Sequence, residues 1–150
     1  MISIVIAIRP KWVAKILKGE KTLEVRKTAP KCDLPIDVYI YCTKGDYIGH
    51  LSNKYVGKIV AKFTLERVDN IGKYAYAIKD DFFYETLKKA CLTTKDLTEY
   101  ANITRAEFER KGAKLYAWHI SNLEILDKPK TLADYGLKRA PQSWCYAKEV

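Results

Sequence analysis

The spacing of apolar residues changes period along this chain in an order that repeated strand-helix-strand units do not fit. Ile2 to Ile8 is an apolar run of strand length, which reads as a buried strand. Pro10 then suits the first turn of a helix, where its missing N–H costs nothing. A helix over about residues 10 to 18 places Trp12, Val13, Ile16 and Leu17 on one stripe and Lys11, Lys15 and Lys18 on another, with Gly19 as its C-terminal cap. From Thr22 to Lys27 the period becomes two, with Leu23 and Val25 on one face and Thr22, Glu24 and Arg26 on the other. One face is then core and the other is free for chemistry.

The same alternation recurs in Ile36 to Cys42 and in Val56 to Val68, where Ile59, Ala61, Phe63 and Leu65 oppose Lys58, Lys62, Thr64 and Glu66. Between about Lys79 and Gly112 the period turns helical, with capping-box patterns at Thr93-x-x-Asp96 and Thr104-x-x-Glu107. Leu115 to Leu126 returns to strand, Thr131-x-x-Asp134 opens a helical turn, and Ser143 to Ala147 closes the chain with a short strand. Strands grouped on both sides of a helical insertion predict an α+β fold: a small, mostly antiparallel barrel with an N-terminal helix and the insertion at about 79–112. At 150 residues one domain is expected.

Charge narrows the partners. The chain carries 27 Lys+Arg against 18 Asp+Glu, a net charge of +9, which favours polyanions. Residues 1 to 31 hold eight basic side chains (Arg9, Lys11, Lys15, Lys18, Lys21, Arg26, Lys27, Lys31) against Glu20 and Glu24, so the positive field concentrates near the N-terminus. The opening apolar run is too short to span a membrane and has no basic flank or small-residue cleavage site, so a cytoplasmic protein without membrane association is expected. Cys32, Cys42, Cys91 and Cys145 show no paired spacing and there are only two His, so the cysteines read as reduced, mostly buried thiols with no metal site and no cofactor.

The densest chemistry lies in Gly19 to Lys27. On an extended strand Glu24 and Arg26 project from one face, with Lys21 at the strand's mouth. Lys21 and Arg26 can donate to phosphate, base or acyl oxygens, and Glu24 can accept from an amine or act as a general base. A solvated strand face bearing a Glu–Arg pair worth tenths of a kcal/mol is the plainer reading of the same residues. Trp12, Tyr41 and Trp144 are candidate flat surfaces for unstacked bases, each worth about 1–3 kcal/mol per base, or else core aromatics. Lys11 and its helical neighbours can meet phosphates or complement the helix dipole. His119, in an alternating strand, reads as a hydrogen-bonded structural residue.

The pattern G-x-K-x-x-E-x-R after an N-terminal helix, here Gly19, Lys21, Glu24 and Arg26, resembles the signature of the ASCH domain family within the PUA-like superfamily. Arg9-Pro10-Lys11-Trp12, Ile16 and the Val56-Gly57-Lys58-Ile59-Val60 segment fall where that family leads one to expect them. Ala140-Pro141-Gln142-Ser143-Trp144-Cys145-Tyr146 resembles a segment of ASCH-like proteins of bacteria and their phages. The helical stretch 79–112 has no counterpart in this resemblance. It implies a β-barrel with a cleft between barrel and first helix, proposed to bind RNA and lined by the signature's polar residues; Gln142 and Ser143 join the candidates through their motif.

Some small bacterial relatives remove the acetyl group from N4-acetylcytidine and resemble this chain at Lys21, but they carry Thr where this chain has Glu24. Three readings follow. An RNA- or nucleoside-binding module, with DNA as a second nucleic-acid partner, would use Lys11, Trp12, Lys21, Glu24, Arg26, Tyr41, Gln142, Ser143 and Trp144. A small hydrolase, either an N4-acetylcytidine-type amidohydrolase or a ribonuclease, would use Lys21 and Glu24 as catalytic residues. A protein-interaction module would use the helical insertion instead. Oligomeric state is not legible in the sequence.

Overall fold

A proline fixed at φ near −65° cannot prolong the first strand's ladder, and the chain turns there into its first helix. In the computed structural model, which describes residues 2–45, 52–72, 81–93, 95, 96 and 114–149, β1 (Ser3–Ile8) is followed at once by α1 (Pro10–Leu17). The Arg9 carbonyl accepts from the N–H groups of Trp12 and Val13, both at 3.0 Å. The helix ends where Gly19, at φ +78°, donates to the Ile16 carbonyl at 2.9 Å, a left-handed conformation that favours glycine. Trp12, Val13, Ala14 and Ile16 form its buried stripe and Lys11 stays exposed.

The chain divides into two compact units, each drawn from separate stretches: Met1–Gly19 with Asp33–Glu66 and Ile120–Val150, and Glu20–Cys32 with Arg67–His119.

In the first unit β3 (Ile36–Cys42), β4 (Ile59–Leu65), β7 (Ser121–Lys130) and β8 (Trp144–Ala147) join β1 in a sheet of order β7-β4-β3-β1-β8. β1 pairs parallel with β3, Ile4 against Val38 and Ile8 against Cys42, and the other neighbours are antiparallel. Every residue of β1 is buried, as a central strand covered on both faces requires. Val5, Ala7, Tyr41, Ile59 and Ala147 form a cluster with Tyr135, and Leu132, Leu137 and Ala140 pack against it. The segment after β7 therefore covers a sheet face. It begins with the expected helical turn, a 3₁₀ turn at Leu132–Tyr135, and a capping box between Thr131 and Asp134 closes it. The pairings leave β7 and β8 as the ends of this sheet, so the ladder among the described residues is open.

In the second unit β2 (Leu23–Arg26), β6 (Tyr116–His119) and β5 (Val68–Asn70) form an antiparallel sheet of order β2-β6-β5, accompanied by α2 (Asp81–Lys89). The Thr93 box is present, with Thr93 N–H on the Asp96 carboxylate at 2.9 Å and Asp96 N–H on the Thr93 hydroxyl at 3.1 Å. The Thr104 box and much of the expected insertion lie outside the described residues.

Two expected strands are each divided. Val56 to Val68 becomes β4 and β5, which enter different sheets, with residues 56–58 in a turn before them. Leu115 to Leu126 becomes β6 and β7, one in each unit. Asn122 lies just past that second break at φ 51°, a left-handed conformation asparagine tolerates better than most residues.

Candidate functional site

Antiparallel register decides which side chains share a face in the second unit. Glu24 lies opposite Trp118 and Arg26 opposite Tyr116, so these four belong to one face of the β2–β6 pair, while Leu23 and Val25 lie opposite His119 and Ala117 on the other. The plainer reading, a solvated face bearing a Glu–Arg pair, does not hold, because all four residues of β2 are buried. The Arg26 and Glu24 side chains are only 9% and 1% exposed.

The Glu24 carboxylate accepts from the Val25 N–H at 3.1 Å and stands 3.6 Å from the Arg26 Nε. An exposed pair of this kind contributes tenths of a kcal/mol. A buried pair behaves differently, since removing one partner strands a charge in a poorly solvating interior at a cost of about 3–5 kcal/mol. Trp118, fully buried, is held by its indole N–H on the Thr28 carbonyl at 3.2 Å.

Lys21 is 2% exposed. Its ammonium donates to the carbonyl of Ala90, the residue following α2. Two further hydrogen bonds join the same segments: Thr22 N–H to the Lys89 carbonyl at 2.9 Å, and the Cys91 thiol to the Glu20 carbonyl at 3.5 Å. The end of α2 is shaped for this. Cys91 adopts φ 58°, and Leu92 N–H reaches back to the Leu87 carbonyl at 3.0 Å, the six-to-one bond of a Schellman turn. A cation at a helix C-terminus also meets the negative end of the helix dipole. The helix counted as an insertion thus positions the signature lysine.

On the opposite face of the small sheet, His119 Nε2 lies 2.7 Å from Asp69, whose other oxygen receives Arg67 Nε at 3.0 Å. Burial works against the Asp69 charge, but the hydrogen bonds from His119 and Arg67 outweigh it and hold the carboxyl below its usual range. His119 has the hydrogen-bonded structural place expected of it.

The remaining candidates all lie in the first unit. Lys11 Nζ sits 4.7 Å from the centroid of the Trp12 ring, and Trp12 itself is largely buried. The Ser143 carbonyl accepts from Ala7 N–H at 2.8 Å, which brings Gln142, Ser143 and Trp144 beside the end of β1 from which α1 departs. Gln142 is exposed, Ser143 half-buried, and Trp144 half-buried with its ring edge-on to Tyr146 at 5.4 Å. Tyr41 is buried in the hydrophobic cluster with Tyr135 and Ala147, the core-aromatic alternative for this residue.

Cys42 is the one described buried cysteine, the other three being half-buried, and burial pushes its thiol up to about 11. That makes it a poor nucleophile at neutral pH. No three His, Cys, Asp or Glu side chains among the described residues gather as metal ligands, and no described helix is long and apolar enough to cross a membrane.

Two residues of the buried polar face, Tyr116 and Trp118, were absent from the sequence candidates. Their alternation with Ala117 and His119 was readable, but only the strand register places them across from Arg26 and Glu24.

No protein-family model matches the chain, and no curated protein does. Solved structures match it over nearly its whole length. The ASCH protein of Zymomonas mobilis superposes with a TM-score of 0.67 at 18% identity, covering 96% of this chain and 86% of that one. A tyrosine-to-phenylalanine variant of that protein gives a TM-score of 0.64 at 17% identity, covering 96% and 88%. A serine-to-alanine variant gives 0.67 at 17%, covering 96% and 87%. The chain has the α+β fold of that ASCH protein.

Proposed function

We propose that this ASCH-fold chain is a binding module for RNA or its nucleosides, with Lys21, Glu24 and Arg26 as the polar groups that recognise the ligand. The observation that carries the reading is the burial of three ionisable side chains within six residues, Lys21 to Arg26. Charges withdrawn from water at such a cost concentrate at functional sites. Their types suit a nucleobase edge, because Glu24 can accept from an exocyclic amine while Arg26 and Lys21 donate to carbonyl oxygens. The resemblance of Gly19-x-Lys21-x-x-Glu24-x-Arg26 to the ASCH signature and the net charge of +9 both support a nucleic-acid ligand.

Lys21 is tied as a hydrogen-bond donor to a backbone carbonyl, a geometry that fits recognition and orientation better than attack on an acyl group. The test is an anisotropy titration with labelled single-stranded RNA, its deoxy counterpart and free nucleosides, using wild type, Glu24→Gln and Arg26→Lys, with folding checked by circular dichroism. Saturable binding at low salt that weakens in folded variants is the expected result. Absence of binding by the wild type, or equal binding by both variants, overturns the reading. Turnover of N4-acetylcytidine or RNA by the wild type, lost in Glu24→Gln, would replace the binding module with an enzyme.

A further inference from the structure

One end of the first unit's sheet is basic in a way that β2's buried charges do not explain. The Thr43 N–H donates to the Ile8 carbonyl at 3.0 Å, so the ends of β1 and β3 lie together, with Arg9 and Lys11 leaving from one and Lys44 from the other. The Cys42 N–H and carbonyl bond to the Lys58 carbonyl and the Gly57 N–H at 2.9 and 2.8 Å, which brings in the 3₁₀ turn Asn53–Tyr55 that precedes them. The aliphatic stem of Lys44 lies over Gly57, where an added Cβ would stand 3.1 Å from the Lys44 Cε. Lys54 Nζ sits 5.0 Å from the Tyr55 ring centroid, as Lys11 Nζ does at 4.7 Å over Trp12. Arg9, Lys11, Lys44 and Lys54 are all exposed.

Residues 8–11, 42–45, 52–58 and 142–144, which make up this end, contain no Asp or Glu. Asp46, close in sequence, lies outside the described residues. The Asp134 carboxylate feels the charge of Lys58, so Lys58 is already partly compensated and is left out of the set. Four exposed cations, three of them lysines steadied by a ring or packed over a glycine, form a positive surface with the half-buried rings of Tyr55 and Trp144 beside it. Those are the two elements that hold a single-stranded polynucleotide without reading its sequence: cations for the phosphates and rings for the bases.

We infer that the first unit binds the phosphate backbone of a single-stranded nucleic acid across this end of its sheet, through Arg9, Lys11, Lys44 and Lys54. The inference rests on the nucleic-acid reading above and sharpens it, since a surface of this kind takes an oligonucleotide and has little use for a free nucleoside.

The test compares two triple variants of equal charge in the full chain, Lys11→Gln/Lys44→Gln/Lys54→Gln and Lys88→Gln/Lys114→Gln/Lys148→Gln, all six positions being exposed. Anisotropy titrations with a labelled single-stranded RNA of about 12 nucleotides, within the range of single-strand sites on small β-rich domains such as OB folds, are run over a series of salt concentrations. The first triple lowers the slope of log K against log salt by about 2, the value for three lost phosphate contacts on a single strand, while the second leaves it near wild type. Equal slopes in the two triples overturn the inference, as does a first triple that behaves like wild type. If the first triple matches wild type while Glu24→Gln abolishes binding, the proposed function stands and only the backbone surface falls. If wild type binds no RNA at low salt, both fall together. Cosedimentation with phosphatidylserine vesicles that is lost in the first triple, beside unchanged RNA binding, would also overturn the inference and mark a lipid surface instead.

Discussion

The two units use charge in opposite ways. In the second, Lys21, Glu24 and Arg26 are taken out of water and held by a helix end, a backbone N–H and one another. In the first, Arg9, Lys11, Lys44 and Lys54 remain at the surface around the ends of β1 and β3. A buried charge is bound tightly to its surroundings, so altering it changes folding as well as binding. An exposed one is screened by salt and changes binding almost alone. Mutation should therefore separate the units by which observable moves.

The largest expected effect belongs to the second unit. Glu24→Ala leaves the Arg26 guanidinium without its carboxylate in a buried setting and should lower unfolding free energy by about 3–5 kcal/mol, whereas Lys11→Ala or Lys44→Ala should stay within about 0.5 kcal/mol. Denaturant melts of the three variants measure this. If Glu24→Ala also stays within that smaller range, the contrast between the units is lost.

Next comes the link between β2 and α2. Lys21→Met retains the apolar stem and removes the donor to Ala90, and hydrogen bonds from charged groups contribute about 1.5–3 kcal/mol. Hydrogen exchange gives the sharper readout. Amides at the end of α2, Ala90 to Leu92, should lose protection in Lys21→Met more than those of β1. Uniform loss across both units would show that the lysine does not act through the helix end.

The smallest effect is a pH dependence. Asp69 is held below its ordinary range, so its ion pairing contributes stability at pH values above its unfolded pKa of about 4, and that contribution disappears as pH falls through the lower folded value. Thermal melts of wild type and Asp69→Asn between neutral pH and pH 3 should converge at the acid end. A constant gap would assign the Asp69 effect to packing instead of charge.

Much of the local structure was legible before the fold was known because it is written in short-range chemistry. Pro10 and Gly19 bracket α1, and Ile36 to Cys42 is a strand with the expected bounds. The Thr93 and Thr131 boxes form because each needs only residues three apart. Continuous alternation does not make a continuous strand. Val56 to Val68 and Leu115 to Leu126 keep their alternation across breaks where the chain passes from one sheet to another. A period of two records which side chains are covered, and carries no mark of which sheet covers them.

The candidate site divides along the same line. The period of two puts Glu24 and Arg26 on one face, and the strand register keeps them there. Tyr41, by residue type either a flat surface for a base or a core aromatic, packs against Tyr135 and Ala147, residues about a hundred positions away.

By itself, then, the amino-acid order determined the identity and span of most elements, the positive bias of the chain and the spacing of Lys21, Glu24 and Arg26, since all of these follow from backbone propensity, caps and counting. Only the tertiary structure decided that those three charges are buried, that the carbonyl of Ala90 receives the lysine, and that Tyr116 and Trp118 lie across from the pair. Burial and register are set by contacts between residues far apart in the chain, and local periodicity holds no record of them.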